Sequence, residues 1–148
     1  MQKTKATARA LRESIGMTQL ELAAEFDVEV RTVKRWENPA HPSNYPDEVF
    51  QWLEEARSDM VSRAVGLAQG IAADKPARVV LPYFRTQEEL DAVQLPVGQD
   101  QPVGYFNATA RMVADALIAL GIDDVCFGYC DETTVTPFSD LIAEGMME

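Results

Sequence analysis

Residues 17–38, MTQLELAAEFDVEVRTVKRWEN, constrain the fold of this chain more than any other stretch. Thr18 stands three residues before Glu21, the spacing at which a hydroxyl and a carboxylate cap a helix start reciprocally. The helix they open is short, Gln19 to about Phe26, and turns Leu22, Ala23 and Phe26 to one side. A second helix spans about Glu29 to Trp36, with Val30, Val33 and Trp36 at three-residue spacing. Val30 lies so early in it that core and solvent are both open to it. The turn residue between the helices is Asp27, and aspartate tolerates the left-handed backbone that a tight turn demands. Ala23 is small enough to let the two helices approach at a steep angle.

The flanking sequence supplies further helices. Ala8, Leu11 and Ile15 share one face of a helix expected from about Thr7 to Ile15, and Gly16 ends it. Asn38-Pro39 and residues 40–44 read as a loop. Pro46-Asp47-Glu48 is a helix start, with proline at the first position and acids against the macrodipole. That helix carries Val49, Phe50, Trp52, Leu53, Ala56 and Met60 and is expected to reach about Ala68, with Gly70 and the Ala-Ala-Asp-Lys-Pro segment ending it. A four- to five-helix domain over residues 1–70 follows.

Beyond Pro76 the pattern changes. Residues 78–84 read as a strand that Pro82 confines to an edge or cuts short. Thr86 and Glu89 make a second capping box before a short helix, and residues 94–104 form a loop rich in Gln, Pro and Gly. Asn107 is expected to cap a longer helix through about Leu120. Its apolar stripe is Thr109, Met112, Val113, Ala116, Leu117 and Leu120, and Gly121 stops it. Val125–Tyr129 reads as a last strand, and the tail from Asp131 is loosely specified. The fold class is therefore mainly α: an N-terminal helical domain followed by a small α/β domain over 76–148.

Composition enters through its asymmetry. The net charge of −11 looks wrong for a polyanion binder. Residues 1–45, however, hold seven lysines and arginines against six acids, a balance of +1, and leave −12 for residues 46–148. Phosphate would repel the acidic part, so the first segment is the only plausible contact surface. The residues facing outward from the second short helix are Glu29, Arg31, Thr32, Lys34 and Arg35. Arg31 and Arg35 lie one turn apart, and arginine donates bidentate hydrogen bonds to guanine edges in a major groove wide enough for one helix. Gln19, opening the first short helix, is placed to hold a phosphate, with Thr32, Lys34 and Asn38 on the flanking backbone. Lys3, Lys5 and Arg9 would add sequence-independent attraction.

The run L-R-x-x-x-G-x-T-Q-x-E-L-A, continued by V, T-V-x-R-W-E-N, covers residues 11–38 and resembles the XRE class of phage-repressor and Cro helix-turn-helix domains. The resemblance implies a lambda-repressor-like domain that reads bases through Val30, Arg31 and Arg35 and holds phosphates through Gln19 and Asn38. The glycine that usually follows that asparagine is Pro39 here. A weaker likeness runs over roughly residues 9–120: the tryptophan ending the second helix, the P-D-x-V helix start, Val-Leu-Pro-Tyr-Phe, and Gly104-Tyr105. It is to the YdiL-like group, which includes anti-CRISPR-associated autorepressors, and it implies a C-terminal dimerisation domain.

Other features have blander readings. Trp36 and Trp52 are core residues. His41 has no matched partner in its loop, Asp123-Asp124 follow a helix-ending glycine as a turn, and Cys126 and Cys130 have the wrong spacing for zinc or a redox pair. No nucleophile–base set, phosphate-binding glycine loop or metal site is found, so neither an enzyme nor a cofactor is expected. The N-terminus lacks the apolar stretch of a secretory signal and no run of eighteen apolar residues occurs, which points to a cytoplasmic protein without a membrane partner. The expected function is a homodimeric repressor of its own operon that binds an inverted repeat in double-stranded DNA. The alternative is an antitoxin-type protein whose acidic half binds a protein partner.

Overall fold

The computed structural model describes residues 1–93 and 101–129, so the tail from Asp131, Cys130 and most of the 94–104 loop lie outside the described residues. The described chain is mainly helical, with six helices and one two-stranded parallel sheet: α1 (Lys5–Ser14), α2 (Gln19–Glu25), α3 (Val30–Glu37), α4 (Asp47–Ala73), β1 (Val79–Pro82), α5 (Gln87–Ala92), α6 (Val103–Ala119) and β2 (Val125–Gly128). Two compact units divide it, Met1–Met60 and Val61–Glu148, and the division falls inside α4. Among the described residues no helix is long and apolar enough to cross a membrane.

In the first unit, α1 and α2 start on side-chain caps and α4 on a proline, whereas α3 begins after Glu29 without a side-chain cap. Thr4 Oγ1 accepts the Thr7 N–H at 3.0 Å, so α1 begins at Lys5, two residues before the expected start. Ala8, Leu11 and Ile15 are buried as the spacing predicts, and so is Arg12. Gly16 then takes φ 72, the left-handed conformation that costs glycine nothing. The Thr18 box is complete: Thr18 Oγ1 accepts from the Glu21 N–H at 3.1 Å and the Glu21 carboxylate accepts from the Thr18 N–H at 3.2 Å. Asp27 stands at φ 51 between α2 and α3. Leu22, Ala23, Val33 and Trp36 are buried, and α3 packs on both α1 and α2. The Pro46 carbonyl accepts from the Val49 and Phe50 N–H groups and starts α4, whose Val49, Phe50 and Leu53 are buried. Trp52 stays half-buried, edge-on to Phe26 with centroids 5.4 Å apart.

In the second unit, β1 and β2 pair in parallel with Val79 opposite Val125 and Pro82 opposite Gly128. A parallel pair needs a long crossover, which α5 and α6 supply. The core comprises Ala64 and Ala68 of α4, Val79 and Leu81 of β1, Phe84, Leu90 of α5, and Phe106, Ala110, Val113, Ala114 and Leu117 of α6.

At several positions the chain differs from what the sequence pattern predicts. Gly70 does not end α4; the helix runs through it to Ala73, because Ile71 and Ala72 beyond it pack on this core. That burial outweighs the helix penalty of one glycine, about 1 kcal/mol. Asn107 does not cap α6, which starts one turn earlier at Val103. Asn107 is instead buried inside the helix, where Oδ1 accepts the Phe84 N–H at 3.0 Å and Nδ2 donates to the Phe84 carbonyl at 2.8 Å. It satisfies both backbone groups of a residue just past β1. Leu120 is 50% exposed rather than part of the buried stripe, since the helix has already ended at Ala119.

Thr86 does cap α5, accepting from the Glu89 N–H, but the Glu89 carboxylate accepts one residue upstream, from the Arg85 N–H at 2.8 Å.

Candidate functional site

The outward side of α3 is a local cluster of positive charge. Arg31, Lys34 and Arg35 are exposed, Val30 and Thr32 are half-buried, and Val33 and Trp36 face inward. This division follows from helical periodicity with two buried anchors three residues apart. Arg31 is not idle: its Nε pairs with the Glu29 carboxylate, both side chains being about two-thirds exposed (69% and 67%). Such an exposed pair contributes little and exchanges partners readily. Lys34 and Arg35 have no ion-pair partner among the described residues. Both lie in the last turn of α3, where cations oppose the negative end of the helix dipole.

Behind this face lies a buried polar network that the sequence reading did not find. Arg12 of α1 donates from Nε to Glu37 Oε1 at 2.6 Å and from Nη2 to Oε2 at 3.0 Å. Its Nη1 donates to the Met17 carbonyl at 2.7 Å. The Tyr45 hydroxyl donates to Glu37 Oε1 at 2.6 Å and the Gln19 amide to Oε2 at 2.8 Å. The paired side chains are only 8% and 4% exposed. Burial by itself would push the Glu37 carboxyl up, but hydrogen bonds from Arg12, Tyr45 and Gln19 outweigh it and hold the group below the usual carboxylate range. Desolvation likewise opposes the Arg12 charge, and Glu37 more than offsets it, leaving the guanidinium more basic than usual. Burial, then the bond to Glu37, pushes the Tyr45 phenol well above its ordinary value. One carboxylate at the end of α3 thus ties together α1, the start of α2 and the loop before α4.

Two signals in the sequence pointed to this network. Arg12 completes the i, i+3, i+4, i+7 face of Ala8, Leu11 and Ile15, and a charge on an apolar stripe requires a buried counter-charge. Glu37 sits in the last turn of α3, where a carboxylate opposes the dipole unless a cation holds it.

Gln19, expected at a phosphate, is half-buried and gives one amide proton to Glu37, which fixes its orientation at the start of α2. Asn38 is exposed at the end of α3, and its Oδ1 accepts the Ala40 N–H at 3.0 Å, closing the turn that contains Pro39. The outlying cations are engaged elsewhere. Lys3 pairs with Asp47 at 2.6 Å, Arg9 pairs with Glu13 one turn along α1, and Lys5 Nζ donates to the carbonyls of Trp36 (2.9 Å), Arg35 (3.3 Å) and Ser43. Lys5 therefore caps the C-terminus of α3 rather than projecting beside it. His41 Nδ1 accepts the Ser43 N–H at 3.0 Å, a turn contact. The chain matches no family model and no curated protein.

Proposed function

We propose that this protein is a DNA-binding transcriptional regulator of the XRE helix-turn-helix type, acting as a homodimer that represses its own operon through an inverted repeat. The observation that carries this reading is the pairing of a rigid rear with a cationic front on α3. Arg12, Gln19 and Tyr45 hold the helix end through Glu37, while Arg31, Lys34 and Arg35 stand exposed on the other side. A helix that enters a groove must be fixed in angle to present its side chains in register with base edges, and only its free face can carry the contacts.

In this reading Arg31 and Arg35 donate to guanine edges, with Val30 touching a neighbouring base by apolar contact. Arg31 exchanges its Glu29 partner for the base. Lys34, Thr32, Gln19 and Asn38 hold phosphates, the remaining amide proton of Gln19 being free for this while the other stays on Glu37. One such helix reads only a few base pairs, so useful specificity calls for two copies about one helical turn apart on DNA.

Selecting bound duplexes from a random pool tests this directly. A two-fold repeat is expected; a pool that stays unenriched would overturn the reading. On the selected site, Arg31→Ala and Arg35→Ala should each cost about 1–3 kcal/mol and relax preference at one position. Lys34→Ala should weaken all duplexes alike and reduce the salt dependence. Intact affinity in gel-shift titrations of all three variants would show that α3 is not the contact surface.

A further inference from the structure

The second unit holds a cavity of about 330 Å³ lined by Tyr83, Arg111, Phe127, Gly128 and Tyr129. Its position follows from the sheet. Tyr83 is the first residue after β1 and Tyr129 the first after β2, so the cavity opens at the carboxyl ends of two parallel strands. In open α/β sheets ligands bind outside the carboxyl ends of the strands. The volume lies at the lower end of the range for small-molecule sites.

The walls are aromatic and partly fixed. Tyr83 and Phe127 meet edge to face with centroids 5.4 Å apart, and the Tyr83 N–H is held by the Gly128 carbonyl at 3.0 Å. The Arg85 guanidinium lies 4.8 Å from the centre of the Tyr129 ring and braces it. The polar group is Arg111 of α6, whose Nη1 donates to the Tyr83 hydroxyl at 2.9 Å. Arg111 is exposed and has no acidic partner among the described residues. Because the Tyr83 oxygen accepts from Arg111, its own O–H is left to donate. Two donors, a guanidinium fork and a phenol, thus meet beside flat rings, and among the described residues no carboxylate lines the cavity. A planar fork of this kind binds carboxylates bidentately.

We propose that this cavity binds a small planar aromatic carboxylate, with Arg111 and the Tyr83 hydroxyl on the carboxylate and Phe127 and Tyr129 against the ring. The proposal concerns the second unit alone and stands whether or not α3 binds DNA. Its ligand would make the protein responsive to a metabolite, which the reading of α3 does not require.

The test titrates benzoate, salicylate and indole-3-carboxylate, with benzamide as the neutral control, into the full-length protein. It follows the ring resonances of Tyr83, Phe127 and Tyr129 by NMR. At least one carboxylate should shift these three rings at millimolar concentration or below and bind at least about tenfold more tightly than benzamide. Arg111→Gln should remove that preference without changing the melting temperature, since the side chain is exposed. Tyr83→Phe should weaken the carboxylate and leave benzamide unchanged. Binding that does not distinguish carboxylate from amide, shifts elsewhere, or no binding by any of the three acids would overturn the proposal.

Discussion

At the scale of single residues, Glu37 does the most to connect fold and site. It receives hydrogen bonds from Arg12, Tyr45 and Gln19 while almost fully buried, so removing its charge strands a buried guanidinium. Breaking a buried pair by deleting one partner costs about 3–5 kcal/mol, and Glu37→Gln should approach the lower figure in denaturant melts because the amide keeps part of the hydrogen bonding. The pH dependence has a definite sign. The folded carboxyl titrates below its unfolded value, so its stabilisation is complete above the ordinary glutamate value of about 4.3 and is lost as pH falls through the lower folded value. Wild-type stability should therefore fall in acid, and the gap to Glu37→Gln should narrow there. A gap that stayed constant from neutral pH into acid would show that the carboxylate charge is not what holds the network. Arg12 and Glu37 were both visible in the sequence. Their partnership, across 25 residues, was not, because no local spacing encodes a contact of that separation.

At the scale of elements, local chemistry decided several of the helix starts and stops. The Thr18–Glu21 box, Gly16 and Gly121 with positive φ, and the Pro46 start all follow from side chains within four residues of the boundary. Asp27 shows the same logic in a less favoured residue. At φ 51 its backbone is left-handed, so Asp27→Gly should leave the melting temperature unchanged or raise it. Asp27→Val, with a branched Cβ, should destabilise by about 1–2 kcal/mol. Equal melting temperatures for the two variants would mean that the turn relaxes to another conformation. Asn107 marks the limit of local reading. Its residue type suits a cap, yet it spends its amide on the Phe84 backbone, 23 residues away in sequence. Asn107→Leu should remove both hydrogen bonds to the Phe84 backbone, at a cost of about 1–3 kcal/mol each, and hydrogen exchange at the Phe84 amide should accelerate sharply. Unchanged protection there would assign the constraint to packing instead.

At the scale of the whole molecule, charge is spread unevenly along the chain, and the dimer proposed above is open to a direct mass measurement. Residues 46–148 carry all of the excess negative charge, and three of the exposed apolar side chains, Ile118, Leu120 and Phe127, belong to the same stretch. Light scattering should give twice the 16.4 kDa chain mass at micromolar concentration, and Arg35→Ala should leave that mass unchanged while reducing DNA affinity. A monomer at those concentrations would remove the reason to expect a two-fold operator. The order of helices and strands, the buried faces of α1, α2 and α3, and the outward charges of α3 were legible along the chain, because periodicity and capping act over a few residues and need no distant partner. Long-range packing decided that Lys3 and Lys5 are occupied, that Gln19 leans on Glu37, that α4 continues through Gly70, and that Tyr83 and Arg111 meet at the strand ends. Each of those outcomes is a choice among competing partners, and which partner wins depends on what folding brings within about 3 Å, the length of a hydrogen bond.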